Sequence, residues 1–127
     1  MSDFYIISVK HTRRDQRYIT LWGADDCGYK QRLNTAGRYP EPAVRAKLGY
    51  YNSGSSTIAV PADVVERLAV DGDPRQFDGA DPAPGVPRVL FNTRDTWSEL
   101  ILNAIEPPAY KVDPQYQGAA ASKGSAC

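Results

Sequence analysis

The stretch from Leu48 to Val70, LGYYNSGSSTIAVPADVVERLAV, decides the fold. It carries a polar loop (Asn52 to Ser56) and a short apolar run (Thr57 to Val60). After Pro61, apolar residues recur at Val64, Val65, Leu68 and Ala69. That spacing marks one face of a 3.6-residue period. Proline lacks an N–H and holds φ near the helical value, so Pro61 suits the first position of a helix. The stretch predicts a buried strand feeding directly into an amphipathic helix.

Toward the N-terminus, Asp3 to Val9 (DFYIISV) is rich in β-branched and aromatic residues and reads as a strand. Tyr18 to Trp22 (YITLW) alternates and reads as a second. Between them lies the polar segment KHTRRDQR, so the pair predicts an antiparallel hairpin with a long, basic tip. Gly23 to Gly28 (GADDCG) is a turn-rich loop, and Tyr29 to Leu33 is a short third strand. Glu41 to Leu48 reads as a short helix, with Glu41 in its first turn, Arg45 and Lys47 in its last, and Gly49 as the C′ residue.

Toward the C-terminus, Asp71 to Pro87 holds four prolines, three glycines and four aspartates, a composition that cannot fill a core and so predicts a surface excursion. Val89 to Phe91 reads as a last short strand. Asn92 is placed to cap the next helix, with Asp95 three residues on in the manner of a capping box. Trp97, Leu100, Ile101, Ala104 and Ile105 form the cleanest amphipathic pattern in the chain, and Pro107 and Pro108 end it. From Ala109 onward the tail is low in apolar bulk and reads as disordered, unless Tyr110 and Tyr116 dock it onto a surface.

These elements predict one α+β domain over residues 1–108 and a tail over 109–127. A small antiparallel sheet, the N-terminal hairpin plus the central short strand, would pack against two or three amphipathic helices. The helices after Pro61 and around Trp97 would cover one of its faces.

A chain of 127 residues with 42% apolar and 24% charged side chains suits one soluble domain with its own core. No apolar run approaches the roughly 20 residues a bilayer demands. An acidic residue ahead of the first apolar run is the wrong order for a secretory signal. Two cysteines, Cys27 and Cys127, make no framework, which fits a reduced cytoplasm and no membrane. Charge is zero overall but uneven. Residues 1–47 carry nine Lys/Arg against five Asp/Glu, leaving +4; residues 48–127 carry six against ten, leaving −4. Such a chain can turn a basic side toward a partner, yet it lacks the domain-wide basic balance of a committed DNA binder.

Several groups are candidates for chemistry. The NSGSST loop (Asn52 to Thr57) offers hydroxyls and amides to a phosphate, but it leads into a strand and no lysine follows Gly54, so a plain polar turn is the better reading. His11 is the sole histidine. As a general base it needs an orienting carboxylate, and Asp15 is nearest in sequence; a solvated loop histidine is the simpler reading. Cys27 lies beside Asp25 and Asp26, whose charges disfavour a thiolate, and the ligand set for zinc is too small. No cofactor or metal is expected, and no catalytic residue is assigned.

Lys10, Arg13, Arg14 and Arg17 on a hairpin tip are the most interpretable feature. Arginines on a protruding ribbon contact phosphates or steer association with an acidic protein surface; a solubilising loop that protects sheet edges is the plain alternative. Tyr29, Arg38, Tyr39, Tyr50 and Tyr51 sit on Gly-containing turns, and tyrosine with arginine is enriched at binding hot spots and in base-stacking platforms. Lys10, His11, Arg13, Arg14, Arg17, Tyr29, Arg38, Tyr39, Tyr50 and Tyr51 therefore make up the expected partner-binding set.

The runs YIISVKHTRRDQRYITLW, AGRYPE and YYNSGSSTIAVP, with the Asp-Gly-rich loop before a Trp helix, resemble small non-structural proteins of tailed bacteriophages and prophages. The resemblance covers most of residues 4–105 and transfers no residue roles. It implies a setting: such proteins often act on host machinery, including inhibition of bacterial defence systems. The leading expectation is a non-enzymatic binding protein in the bacterial cytoplasm, engaging an acidic host protein or a nucleoprotein complex through the Lys10 to Arg17 tip. The alternatives are nucleic-acid or nucleotide binding by the same surface, and a small transferase or hydrolase using His11.

Overall fold

The structure, a computed structural model, describes residues 2–76 and 85–119. Its centre is β1 (Asp3–Ser8), paired antiparallel along Phe4 to Ser8 with β5 (Thr57–Pro61) in the register Ile6↔Ala59 and Ser8↔Thr57. The other edge of β1 is shared. β2 (Leu21–Trp22) pairs at Ile7, and β4 (Tyr39–Pro40) pairs at Asp3 and Phe4. β3 (Tyr29–Lys30) lies outside β2. The expected hairpin, its antiparallel pairing and its place beside the Thr57 strand all form, within a five-stranded sheet. The fold is α+β with a small antiparallel sheet.

Successive side chains of a strand point to opposite faces, and here both faces are dry. Tyr5, Ile7, Val9, Ile58 and Val60 join one core with Val64, Val65, Trp97 and Leu100. Phe4, Ile6 and Ala59 join a second with Tyr39, Val44 and Tyr51. Helices α3 (Ala62–Leu68) and α4 (Arg94–Leu102) cover the first face, as expected; α1 (Glu41–Ala46) and α2 (Leu48–Tyr51) contribute to the second, which the expectation left bare. The continuous apolar run of β1 is the signature of that double burial.

Several boundaries shift for local reasons. Pro61 ends β5 with ψ near 138° and serves as N-cap, so α3 begins at Ala62. Gly49 lies inside the four-residue α2 rather than closing α1, whose C-cap is Lys47. Tyr18 forms only an isolated bridge to Phe91, and β2 begins at Leu21. Val70–Asp71 (β6) and Arg88–Val89 (β7) pair antiparallel across the base of the Asp71 to Pro87 excursion; residues 77–84 lie outside the described residues.

The entrance to α4 departs most from expectation. Thr93 is the N-cap, its Oγ1 accepting from Thr96 N, while Asn92 is a buried hub. Its Oδ1 accepts from the Trp97 indole at 2.6 Å, its Nδ2 donates to Arg13 O and Gln16 O, and its backbone N donates to Arg17 O. At the far end, the chain after α4 stays on the body. Ile105 N donates to Ala59 O, Asn52 Nδ2 donates to Glu106 O, and Tyr110 N donates to Ser53 O. Val112 and Tyr116 pack against the first core, so the tail docks over 109–119; residues 120–127 lie outside the described residues. Among the described residues no helix is long and apolar enough to cross a membrane.

Candidate functional site

β1 and β5 end together at the Ser8↔Thr57 pair, and that register builds the site. Just past it, Val9 N and Lys10 N both donate to Ser56 O, at 2.9 and 3.1 Å. The start of the β1–β2 connection is thereby laced to the Ser53–Ser56 loop. His11 N donates to Ser8 Oγ at 3.1 Å, which fixes where the imidazole begins. Its ring lies 4.3 Å from that of Tyr29, tilted by 39°. Tyr29 stands opposite Trp22 across the β2–β3 pair, and Trp22 meets Tyr50 edge-on at 5.3 Å.

These elements enclose a pocket of about 380 Å³. Trp22, Tyr29 and Tyr50 supply aromatic wall; Ser53, Ser55 and Ser56 supply hydroxyls, while the buried Thr57 hydroxyl donates to Tyr50 O; Lys10 and His11 supply the basic edge. No acidic residue is among the lining, and Lys47 Nζ sits 6.0 Å from the Tyr50 ring centroid, adding a second lysine beside the mouth. Tyr29 and Tyr50 are 53% and 49% exposed, so both rings are open to a ligand. The volume falls at the small end of ligand sites, enough for one compact molecule or one unit of a longer one.

The loop does not act as a phosphate loop. Gly54 N donates to Thr57 O and Ser56 N donates to Ser53 Oγ, so those amides are committed internally. An anion here meets side-chain hydroxyls and Lys10. Trp22 Nε1 is buried without a hydrogen-bond partner among the described residues, an uncommon condition for an indole donor.

The expected binding residues divide into four groups. Lys10, His11, Tyr29 and Tyr50 come together at the pocket. Arg13, Arg14 and Arg17 are exposed, but the segment bearing them is no free ribbon, because Asn92 holds Arg13, Gln16 and Arg17 by their carbonyls. Buried Thr12 ties the same segment to β1 and to Thr20, its Oγ1 donating to Ser8 O and accepting from Thr20 N. Arg13 is paired with Asp15 at 3.2 Å. Arg38 belongs to a separate ion network with Asp3 (3.6 Å) and Glu66 (3.4 Å), over the Tyr5 ring.

Tyr39 and Tyr51 are buried and offer no contact surface. Tyr39 Oη donates to Gly23 O and accepts from Asp26 N, and Tyr51 Oη donates to an Asp26 carboxylate oxygen at 2.9 Å. Burial, and then the Asp26 hydrogen bond, push the Tyr51 phenol up to about 12; burial raises that of Tyr39 as well. Tyr5 is likewise pushed to about 12 by burial and by donating to Glu66. These hydroxyls anchor the fold and stay protonated at neutral pH.

A smaller concavity of about 300 Å³ lies between Tyr5, Glu66 and Arg88. Its charges are spent internally, Glu66 on Tyr5 and Arg38, Arg88 on Asp71 at 2.7 Å. Among the described residues no cluster of His, Cys, Asp or Glu is arranged to hold a metal, and Cys27 is exposed and free.

Sequence reasoning found both halves of the pocket without joining them. The NSGSST loop lacks a following lysine, but Lys10 arrives from the β1–β2 connection instead. Trp22 lies outside the expected binding set, because the strand that carries it gives no sign of which of its side chains line a pocket. Comparison with protein-family models, with curated proteins and with solved structures gives no match.

Proposed function

We propose that the chain is a non-enzymatic binding protein whose pocket takes one nucleotide unit, a flat base bearing a phosphate. The observation that carries this reading is the combination of three exposed or half-buried rings with Lys10, His11 and the hydroxyls of Ser53, Ser55 and Ser56 in a pocket free of acids. Aromatic rings accept any base by stacking, and a cation with hydroxyls complements a phosphate. His11 has an aromatic neighbour at 4.3 Å and no carboxylate in the lining, which favours binding over general-base catalysis.

The reading in which the Lys10 to Arg17 segment grips an acidic host protein draws its support from Arg14 and Arg17, both exposed. It loses support from the pairing of Arg13 with Asp15. Under the nucleotide reading, the phage-like setting makes the partner a nucleic-acid-handling complex in a bacterial cytoplasm, reached through its nucleic acid.

The test is calorimetric titration with AMP, UMP, uridine and inorganic phosphate. The expected result is binding of both mononucleotides, weaker binding of the nucleoside, and weaker still of phosphate. Equal affinity for phosphate and nucleotide would remove the aromatic wall from the account.

A further inference from the structure

We infer that the ligand is a single-stranded nucleic acid running from the pocket onto an arginine patch at the entrance to α4; this rests on the nucleotide reading above. The pocket and the patch are built by one continuous segment. Lys10 and His11 line the pocket, and Arg13 and Arg14 follow at once. A chain advances at most about 3.6 Å per residue, so the Cα atoms of Lys10 and Arg14 lie no more than roughly 14 Å apart. The patch therefore lies within reach of a short oligonucleotide whose first unit occupies the pocket.

The patch has an identifiable cause. Asn92 holds the carbonyls of Arg13 and Arg17, and Arg94 opens α4 two residues after it. Four exposed arginines, Arg13, Arg14, Arg17 and Arg94, are gathered around one buried amide. Only Arg13 has an ion pair there among the described residues, to Asp15. Asp73, the next acid toward the excursion, is held low first by its hydrogen bonds to Arg75 and last by the charge of Arg17, so its main partner is Arg75 while Arg17 faces it without an ion pair among the described residues.

The patch also carries a ring. Phe91, one residue before the hub, is 39% exposed with one side against Tyr18 at 6.1 Å. An exposed phenyl ring next in sequence to the amide that fastens the arginine segment is the combination that single-strand binders use, the ring for a base and the cations for the backbone. Duplex DNA keeps its bases stacked inward and offers nothing to Phe91 or to the pocket rings. The arrangement therefore selects an unpaired strand of about four or more nucleotides, the lower limit for small single-strand modules.

The experiment compares oligothymidylate and oligouridylate of one, two, four and eight nucleotides, plus an eight-base-pair duplex, binding to the full chain and to the double variant Arg14→Glu/Arg17→Glu. Both positions are exposed, and circular dichroism checks that the variant stays folded. For the wild type, affinity should climb at least tenfold between one and four nucleotides, fall with salt, and exceed that for the duplex. The double variant should lose the gain with length and keep its mononucleotide affinity. A length gain that survives the double charge reversal overturns the proposal, as does an equal preference for duplex. Mononucleotide binding with no gain from length overturns it while leaving the pocket reading standing; absence of binding at every length removes both.

Discussion

The imidazole of His11 lies 4.3 Å from the ring of Tyr29, although His11 comes from the β1–β2 connection and Tyr29 from β3. What brings them together is the lacing of Val9 N and Lys10 N to Ser56 O just beyond the Ser8↔Thr57 pair. A ring contact at the mouth of the pocket thus depends on the register of the two central strands. A one-residue slip would turn every side chain of β1 to the opposite face.

Tyr29 and Tyr50 should carry much of the binding without carrying the fold. Both are about half exposed, so Tyr29→Ala and Tyr50→Ala are expected to leave the melting temperature nearly unchanged. Each should weaken nucleotide binding by roughly ten- to a hundredfold, given about 1–3 kcal/mol per stacked base. Titration calorimetry with UMP checks this; unchanged affinity in both variants would take the rings out of the site.

Asn92→Ala should be among the most destabilising polar substitutions in the chain. It strips the buried Trp97 indole of its acceptor and frees the carbonyls of Arg13 and Gln16. Orphaning a buried donor with loss of several bonds costs about 2–4 kcal/mol, or roughly 10 °C in melting temperature for a domain of this size. The Arg13 to Arg17 segment should also become a preferred trypsin site. A melting temperature within a degree of wild type would show that the hub carries no weight.

Gly54 is required twice over. Its φ is +89°, where an L side chain is strained, and a Cβ there would collide with Tyr110 O. Gly54→Ala must therefore lift the 106–116 strap from the loop that walls the pocket. Faster hydrogen exchange at the Tyr110 amide, which donates to Ser53 O, is the expected signature, with a loss of about 1–3 kcal/mol in stability. Unaltered exchange would mean that strap and loop are independent.

High pH should unfold the protein through its buried phenols. Tyr5 and Tyr51 are held up at about 12, while an unfolded phenol titrates near 10. The fold favours the protonated form, so the stability these groups contribute is complete below pH 10 and is lost as pH rises through 12. Urea unfolding between pH 9 and 12 should show falling stability, with a shallower slope in Tyr51→Phe, which cannot ionise. Spectroscopic titration showing all eight tyrosines ionising together near 10 would contradict this.

The elements of the fold were legible where one physical signal dominated. DFYIISV and TIAV could only be strands, and the Trp97 pattern marks a helix, although α4 ends at Leu102 and leaves Ala104 and Ile105 beyond it. The second layer of helices was not legible, because a continuous apolar run states that a strand is buried without saying by what. Asn92 was misread because its amide can cap a helix or bind distant carbonyls, and only contact with Arg13, 79 positions away, decides between them. Tyr39 and Tyr51 read as surface residues on turns; Gly23 and Asp26 satisfy their hydroxyls inside instead. The pocket needed Lys10 and Ser56 in contact, which sequence spacing does not encode.

The most direct test of the central claim is chemical-shift mapping of the ¹⁵N-labelled chain titrated with UMP, repeated on Lys10→Glu. The account predicts shifts concentrated at Lys10, His11, Trp22 Nε1, Tyr29, Tyr50 and Ser53 to Thr57, with the Lys10→Glu chain binding at least tenfold more weakly. Shifts confined to the Tyr5, Glu66 and Arg88 concavity, or no saturable shifts at all, would contradict it.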